Sequence, residues 1–248
     1  MKEKYTSIIA LPDIHYPENI PLEPILSLCK DVGGFDVVIL LGDALDMTPV
    51  SHWLKDRRRK LEGKRLLRDY EGFMKDILNP LAEVNPTARF VWTIGNHEDW
   101  VEQYIDKNPE VEGLIEPHIH ITLPDRREIE WVPLNRVYEV GHLAYTHGAF
   151  NNKYHSYKHV ITYGNLIYGH THTVQCYAEV SPFGRDGVHK AQSIGCLCNK
   201  SPDYMKNRKN QWVHAFNVAY VYDDGLFNDY TVHIINGRFV FNGRLYKV

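Results

Sequence analysis

Five short motifs place oxygen- and nitrogen-bearing side chains directly after apolar runs of the sequence. They are Pro12-Asp13-Ile14-His15, Gly42-Asp43-Ala44-Leu45-Asp46, Gly95-Asn96-His97-Glu98, His147-Gly148 and Gly169-His170-Thr171-His172. The run before the second motif, residues 37–41, consists of five branched apolar residues and is typical of a strand buried on both faces. Open α/β sheets place ligands at the carboxyl ends of their strands, so we expect the five motifs to converge.

The side chains of these motifs form a ligand set for divalent metal ions. The set contains two aspartates, one asparagine and four histidines, namely Asp13, His15, Asp43, Asn96, His147, His170 and His172. Such oxygen and imidazole donors suit Mn, Fe, Zn or Ni better than a zinc ion held by thiolates. Seven ligands are too many for one ion, but they suit two ions that share a carboxylate, an arrangement used for in-line displacement at phosphorus.

The order and spacing of the motifs resemble the five blocks of the calcineurin-like metallophosphoesterase family, D-x-H, G-D-x-x-D, G-N-H-[D/E], a single His and G-H-x-H. The similarity extends from residue 13 to residue 172, and the chain resembles the small stand-alone members found in phages and bacteria. This resemblance implies an α/β fold, the metallophosphoesterase-type αββα sandwich of two packed mixed β-sheets with flanking helices. We expect one such domain over residues 1–248, with a basic helical insertion at about residues 48–85.

The resemblance also implies a role for each matched residue. One ion would be held by Asp13, His15 and His172, the other by Asn96, His147 and His170, and Asp43 would bridge them. His97 would protonate the leaving alcohol or stabilise charge on phosphorus. Asp46 would accept an N–H of the His97 ring and fix its orientation. The implied cofactor is a pair of divalent ions, Mn first and Fe, Zn or Ni as alternatives, and the implied reaction is hydrolysis of a phosphodiester by a hydroxide between them.

Three functional alternatives remain open at the level of sequence. They are a phosphodiesterase acting on nucleotides or nucleic acid, a phosphomonoesterase or protein phosphatase, and a non-catalytic binding protein on the same fold. The complete ligand set favours an enzyme. Related protein phosphatases usually carry arginines beside the Asp and Asn blocks, whereas here Ile94 precedes Gly95, and Ala44 and Leu45 follow Asp43. This difference favours diester substrates.

Two basic segments are candidates for substrate binding. Residues 55–65 contain seven basic and two acidic residues, a net charge of +5, and residues 199–212 combine cations with Tyr204 and Trp212. Cations interleaved with aromatic rings can bind a phosphate backbone and stack on bases. Alternatively, the first is a solvated helix face and the second a surface loop anchored by its tryptophan. The candidate substrate residues are Arg57, Arg58, Arg59, Lys206, Arg208 and Trp212.

Composition excludes several other classes of protein. The formal net charge of the 248 residues is −3, so no global field attracts the chain to DNA, RNA or membranes, and no apolar stretch approaches the roughly 20 residues that cross a bilayer. The four cysteines, Cys29, Cys176, Cys196 and Cys198, match neither a zinc-knuckle spacing nor a disulfide framework. With no signal segment at the N-terminus, we expect a cytoplasmic protein with reduced thiols that mostly serve packing.

The elements that position the motifs follow from periodicity. Strands are predicted at residues 6–11, 37–41, 89–94, 143–146 and 165–168, each ending at a motif. Helices are predicted at residues 22–32, 48–85, 99–106 and 153–163, whereas residues 108–136 show no clear period. Residues 173–248 are predicted to be mostly strands, with a hairpin near residues 183–187 and turns at Asp224-Gly225 and Asn236-Gly237.

Overall fold

The computed structural model describes residues 4–54, 56–180, 188–202 and 208–248. The strands in these ranges are β1 Tyr5–Leu11, β2 Val37–Leu40, β3 Arg89–Thr93, β4 Ile129–Val132, β5 Tyr138–Val140, β6 Leu143–Thr146, β7 Leu166–Tyr168, β8 Val174–Val180, β9 Val188–Ile194, β10 Ala215–Tyr222, β11 Phe227–His233, β12 Arg238–Phe241 and β13 Arg244–Lys247. The helices are α1 Glu23–Val32, α2 Arg58–Leu61, α3 Leu66–Phe73, α4 Asn79–Val84, α5 Asn96–Ile105, α6 Pro117–His120 and α7 His155–Tyr163. The hairpin predicted near residues 183–187 lies outside the described residues.

The strands form two large mixed sheets and a separate hairpin. The first sheet has six strands in the order β11-β10-β1-β2-β3-β4, in which β1 to β4 are parallel and β10 and β11 are antiparallel. The second has five strands in the order β5-β6-β7-β9-β8, with parallel pairing of β6, β7 and β9. Strands β12 and β13 pair only with each other among the described residues. The protein is thus a mixed α/β structure with two multi-stranded sheets, as expected.

The alternation of side chains along β1 separates two apolar layers. Ile8 packs in a buried cluster with Tyr145 and Ile167 of the second sheet. Its neighbour Ile9 points to the opposite face and joins a larger cluster that includes Ile25 of α1. The two sheets therefore pack face to face, and helices cover the outer face of the first sheet.

Helix α7 covers the outer face of the second sheet. Val160 packs with Leu166 and Tyr168 of β7 in a third buried cluster. The resulting order of layers is helices, six-stranded sheet, five-stranded sheet and helix, which is compatible with an α/β sandwich. No helix in the described ranges is long and apolar enough to cross a bilayer.

The prediction of one long helical region over residues 48–85 was wrong for nearly its first half, residues 48–65. Short 3₁₀ turns at Thr48–Val50 and His52–Leu54 and the single turn of α2 replace it. Pro49 and Gly63 weaken a continuous helix there, and the run of like charges at residues 57–60 repels itself at helical spacing. The second part, residues 66–84, is continuous but contains a π turn at Met74–Leu78 just ahead of Pro80, which cannot donate its hydrogen bond.

Three strands were not predicted individually, and one of them is β5, Tyr138–Val140. Ile129–Val132 forms β4, which pairs in parallel with β3 although residues 108–136 show no clear period. Arg244–Lys247 forms β13 against β12. Helix α5 also begins at Asn96 rather than at Asp99, so the third motif forms the first helical turn instead of a preceding loop.

Candidate metal centre

The five motifs meet where the two sheets pack together. β1, β2 and β3 are parallel neighbours in the first sheet, and β6 and β7 are parallel neighbours in the second. Their carboxyl ends face one another, so side chains far apart in sequence lie within a few ångströms. The structure brings together all seven predicted ligands: Asp13, His15, Asp43, Asn96, His147, His170 and His172.

One side of the centre is formed by Asn96, His147 and His170. Oδ1 of Asn96 lies 3.1 Å from Nε2 of His147 and 2.8 Å from Nδ1 of His170, and these two nitrogens are 3.2 Å apart. Nδ1 of His147 donates to the carbonyl oxygen of Leu41 at 3.1 Å. This outward hydrogen bond directs Nε2 of His147 into the centre.

The other side is formed by Asp13, His15 and His172. Nε2 of His172 lies 3.1 Å from Oδ1 of Asp13 and 3.2 Å from Nε2 of His15. Nδ1 of His15 faces the Asp46 carboxylate at 3.4 Å, and Nδ1 of His172 faces the Cys198 sulfur at 3.7 Å. Both imidazoles again make their outward contact through Nδ1 and turn Nε2 inward.

Asp43 lies between the two groups. Its Oδ2 is 3.4 Å from Nε2 of His147 and 3.8 Å from Nε2 of His15, and the residue is only 2% exposed. Its Oδ1 accepts the backbone N–H of His97 at 2.8 Å. One carboxylate therefore contacts both ligand groups, as a shared ligand would.

The backbone conformation of these residues is strained. Five of the predicted ligands adopt left-handed φ angles between +46° and +66°, namely Asp13, His15, Asp43, His170 and His172. They are half of the ten non-glycine residues with positive φ in the described chain. Such conformations cost about 1 kcal/mol or more each and concentrate at functional sites. Aspartate and histidine are among the side chains that tolerate this region best.

Two glycines allow the ligands to approach the backbone. A Cβ on Gly42, whose φ is +76°, would overlap the imidazole of His147, and a Cβ on Gly169 would overlap the carboxylate of Asp13. Any residue other than glycine at position 42 or 169 would therefore prevent His147 or Asp13, respectively, from approaching the backbone this closely. The glycines of the second and fifth motifs therefore follow from the close packing of ligands from both sheets.

Glu98 holds the two strand-end loops of the first sheet together. Its carboxylate accepts the backbone N–H groups of Asp43 at 2.9 Å, Leu45 at 3.2 Å and Gly95 at 2.9 Å. Burial, followed by the negative charge of Asp43, raises the pKa of Glu98 to about 7. The acidic residue at the end of the third motif is thus buried, and its hydrogen bonds hold the loop that carries Asp43 in place.

His97 is held differently from the sequence-based prediction. Its Nδ1 lies 2.8 Å from the main-chain carbonyl oxygen of Asp46 but 3.7 Å from the carboxylate, so the carbonyl accepts the hydrogen bond. The Asp46 carboxylate instead faces His15 and accepts the hydroxyl hydrogen of Thr48. The His97 ring also stacks on Trp100, with ring centroids 3.9 Å apart.

The electrostatics of the centre favour positive charge beside Asp43. Burial alone raises the pKa of Asp43, but the imidazoles of His147 and His97 bring it well below its ordinary value. Burial opposes a charge on His147, yet the Asp43 carboxylate raises the pKa of His147 to about 10. A metal ion at Nε2 would compete with that proton and release it on binding.

Cys198 is a site residue that the sequence analysis missed. His15, His172 and Cys198 form a buried group whose donor atoms lie within 4.8 Å of one another, alongside the groups of His15, Asp43 and His97 and of Asp43, His147 and His170. Buried His, Asp and Cys side chains could therefore hold metal ions here. A signal was present, since β9 ends at Ile194 and is followed by Gly195, like the strands that precede three of the motifs.

The candidate substrate residues are only partly brought to this centre. The Trp212 ring lies edge-to-face against His172, with centroids 4.2 Å apart. Arg57, Arg59 and Arg208 are exposed. The side chain of Arg58 and all of Lys206 lie outside the described part of the chain.

Comparison with known proteins identifies no family. No family model matches the chain, and no curated protein matches it. The site itself is therefore the basis for assigning a function.

Proposed function

We propose that the protein is a metal-dependent phosphodiesterase of the calcineurin-like metallophosphoesterase type that acts on nucleotides or nucleic acid. The observation that carries this proposal is the position of Asp43, whose single carboxylate contacts ligand groups from both sheets. The two packed mixed sheets with helices outside them support the αββα sandwich of that family.

The donor set is suited to two divalent ions. One ion would be held by Asp13, His15 and His172. The other would be held by Asn96, His147 and His170, and Asp43 would contribute to both. When bound, such ions polarise phosphoryl oxygens and lower the pKa of water toward neutrality. Oxygen and imidazole donors predominate, which favours Mn, with Fe, Zn and Ni as alternatives.

The protein's own contribution is to orient the ligands and supply a proton. The imidazoles of His15 and His147 are fixed by outward hydrogen bonds, so they present Nε2 without reorganisation. His97 donates from Nδ1 to the Asp46 carbonyl, which leaves Nε2 directed toward Asp43, 3.9 Å from its Oδ2. Protonated at Nε2, His97 can deliver a proton to a departing alkoxide.

Burial lowers the pKa of His97 more than the charge of Asp43 raises it. The imidazolium form is therefore a stronger acid than an exposed one. This property suits donation to an unactivated leaving group, for which proton transfer matters most.

The test combines metal analysis with an activity panel. The protein is assayed with Mn on a bis-aryl diester, an aryl monoester, cyclic nucleotides, and single- and double-stranded DNA and RNA. We expect hydrolysis of diesters and two bound ions per chain. Asp43→Asn should abolish the hydrolysis and the metal binding. The same change at the exposed turn residue Asp223 is the matched control and should leave both unchanged. Preference for the monoester would indicate a phosphomonoesterase, and metal-bound protein without activity on any substrate would overturn the enzyme assignment.

A further inference from the structure

A series of aromatic rings extends from His97 to the protein surface. His97 stacks on Trp100 at a centroid distance of 3.9 Å, and Trp100 meets His52 edge-to-face at 5.5 Å. His52 in turn lies 4.5 Å from Trp53. The four rings link the proton donor of the proposed reaction to the 3₁₀ turn at His52–Leu54.

The outer end of this series is open to solvent. Trp53 is 72% exposed, the highest exposure among the large hydrophobic side chains of the described chain, whereas Trp100 is only 9% exposed. His52 is also exposed. Burial of the Trp53 ring therefore contributes little to folding, while its flat surface is accessible to a ligand.

We propose that Trp53 and His52 form a stacking subsite for a planar base in the leaving group of the substrate. This inference rests on the proposed phosphodiesterase function, because it places the leaving alcohol beside His97. Because His97 is joined through Trp100 to His52 and Trp53, the two exposed rings at the end of this series are the surface assigned to the group bonded to that alcohol.

The neighbouring charges favour a nucleoside over other planar groups. Arg57 and Arg59 follow Trp53 within six residues and expose their side chains. Cations beside an exposed aromatic ring suit a base attached to a phosphate backbone. Trp212, against His172, contacts the opposite ligand group and could serve the other side of the scissile phosphate. The substrate class is therefore a single-stranded nucleotide diester with a nucleoside as leaving group.

The first test measures binding without turnover. Deoxyadenosine, which has no phosphate to cleave, is titrated into the metal-loaded protein and observed by saturation-transfer NMR, with 2-deoxyribose as the probe that lacks a base. We expect deoxyadenosine to bind and 2-deoxyribose not to bind. Trp53→Ala should weaken the affinity for deoxyadenosine about tenfold, within the range for loss of base stacking. Trp53→Phe should retain most of the binding, since it keeps an aromatic face.

The second test separates binding from chemistry. Two diesters of thymidine 3′-phosphate are compared, one with thymidine and one with methanol as leaving group. Trp53→Ala should raise KM about tenfold for the first substrate, with kcat little changed, and should leave the second unaffected. Tyr5→Ala is the control, because Tyr5 is 53% exposed at the amino end of β1, about 20 Å along the strand from Leu11, the last residue of β1 before the first motif.

The outcomes distinguish this inference from the function on which it rests. Equal effects of Trp53→Ala on both diesters, or unchanged deoxyadenosine binding, would overturn the stacking subsite while diester hydrolysis stands. Failure of the unaltered protein to hydrolyse any diester would overturn the phosphodiesterase. Melting temperatures of the variants should match that of the unaltered protein, because an exposed side chain is changed in each.

Discussion

Asp46 fixes His97 through its main-chain carbonyl oxygen, which lies 2.8 Å from Nδ1 of the imidazole. The carboxylate of the same residue faces Nδ1 of His15 at 3.4 Å. One residue therefore orients the proposed proton donor with its backbone and a proposed metal ligand with its side chain. A substitution at Asp46 removes the second contact and keeps the first.

We expect Asp46→Ala to weaken metal binding while preserving the role of His97. Loss of a carboxylate behind a metal-binding histidine typically costs about 10- to 100-fold in metal affinity. Calorimetric titration of Mn should show the weaker affinity at one of two sites. With saturating Mn, the dependence of rate on leaving-group pKa should match that of the unaltered protein. A changed dependence would show that the carboxylate acts on His97 after all.

His97→Ala should have the converse effect. Its ring faces Asp43 at 3.9 Å, and we assign it no metal, so both ions should remain bound. The rate on diesters with poor leaving groups should fall by about 10²–10⁴, the usual cost of removing a positioned acid. The loss should be smaller on an activated aryl diester, whose leaving group needs little protonation. If metal analysis shows that an ion is lost, His97 is a ligand and the roles must be reassigned.

Because His159 is buried, we expect the free energy of unfolding to decrease in mild acid. Its Nε2 accepts the N–H of Ala149 and its Nδ1 donates to the carbonyl of His155, so the ring is held neutral. Burial lowers the pKa of His159 to about 4, against an ordinary value near 6.5. Between these values the unfolded chain binds a proton that the folded chain does not, so the free energy of unfolding falls as pH falls.

At about 1.4 kcal/mol per pH unit, His159 contributes about 3 kcal/mol to the free energy of unfolding. This contribution is present above pH 6.5 and lost by pH 4. Urea unfolding across this range should show the decrease. His159→Gln, which does not titrate, should be less stable at pH 7 but less sensitive to acid. Parallel pH profiles for the two proteins would rule out His159 as the source.

The basic segment at residues 55–65 predicts salt-dependent binding of nucleic acid. If its cations contact phosphates, the affinity for a single-stranded oligonucleotide should fall with salt by a log–log slope of about −0.7 per contact. Replacing Arg57, Arg58 and Arg59 by Ala should reduce this slope and the activity on the oligonucleotide, but not the activity on a small aryl diester. If the triple variant keeps the activity of the unaltered protein on both substrates, the segment is a solvated surface.

The sequence by itself predicted which side chains converge and the strands that carry them. Both signals are local, because an apolar run followed closely by a polar side chain, in four of the five motifs after a Gly or Pro, is visible within ten residues. Parallel strands bring their carboxyl ends to one edge, so the convergence of Asp13, Asp43 and Asn96 follows from the order of the motifs alone. The helical region at residues 48–85 could not be predicted correctly in the same way, because its apolar spacing continues through Pro49 and Gly63.

Only the tertiary structure decided which atoms face one another. Asp13 meets His172, 159 positions away in the sequence, because two sheets pack face to face, and no local pattern encodes that register. Cys198 lies beside His172 because β9 pairs in parallel with β7, and the Asp46 carboxylate faces His15 rather than His97 across the ends of the neighbouring strands β1 and β2. Periodicity determines the face on which a side chain lies, whereas contacts between sheets depend on the volumes of all the side chains between them.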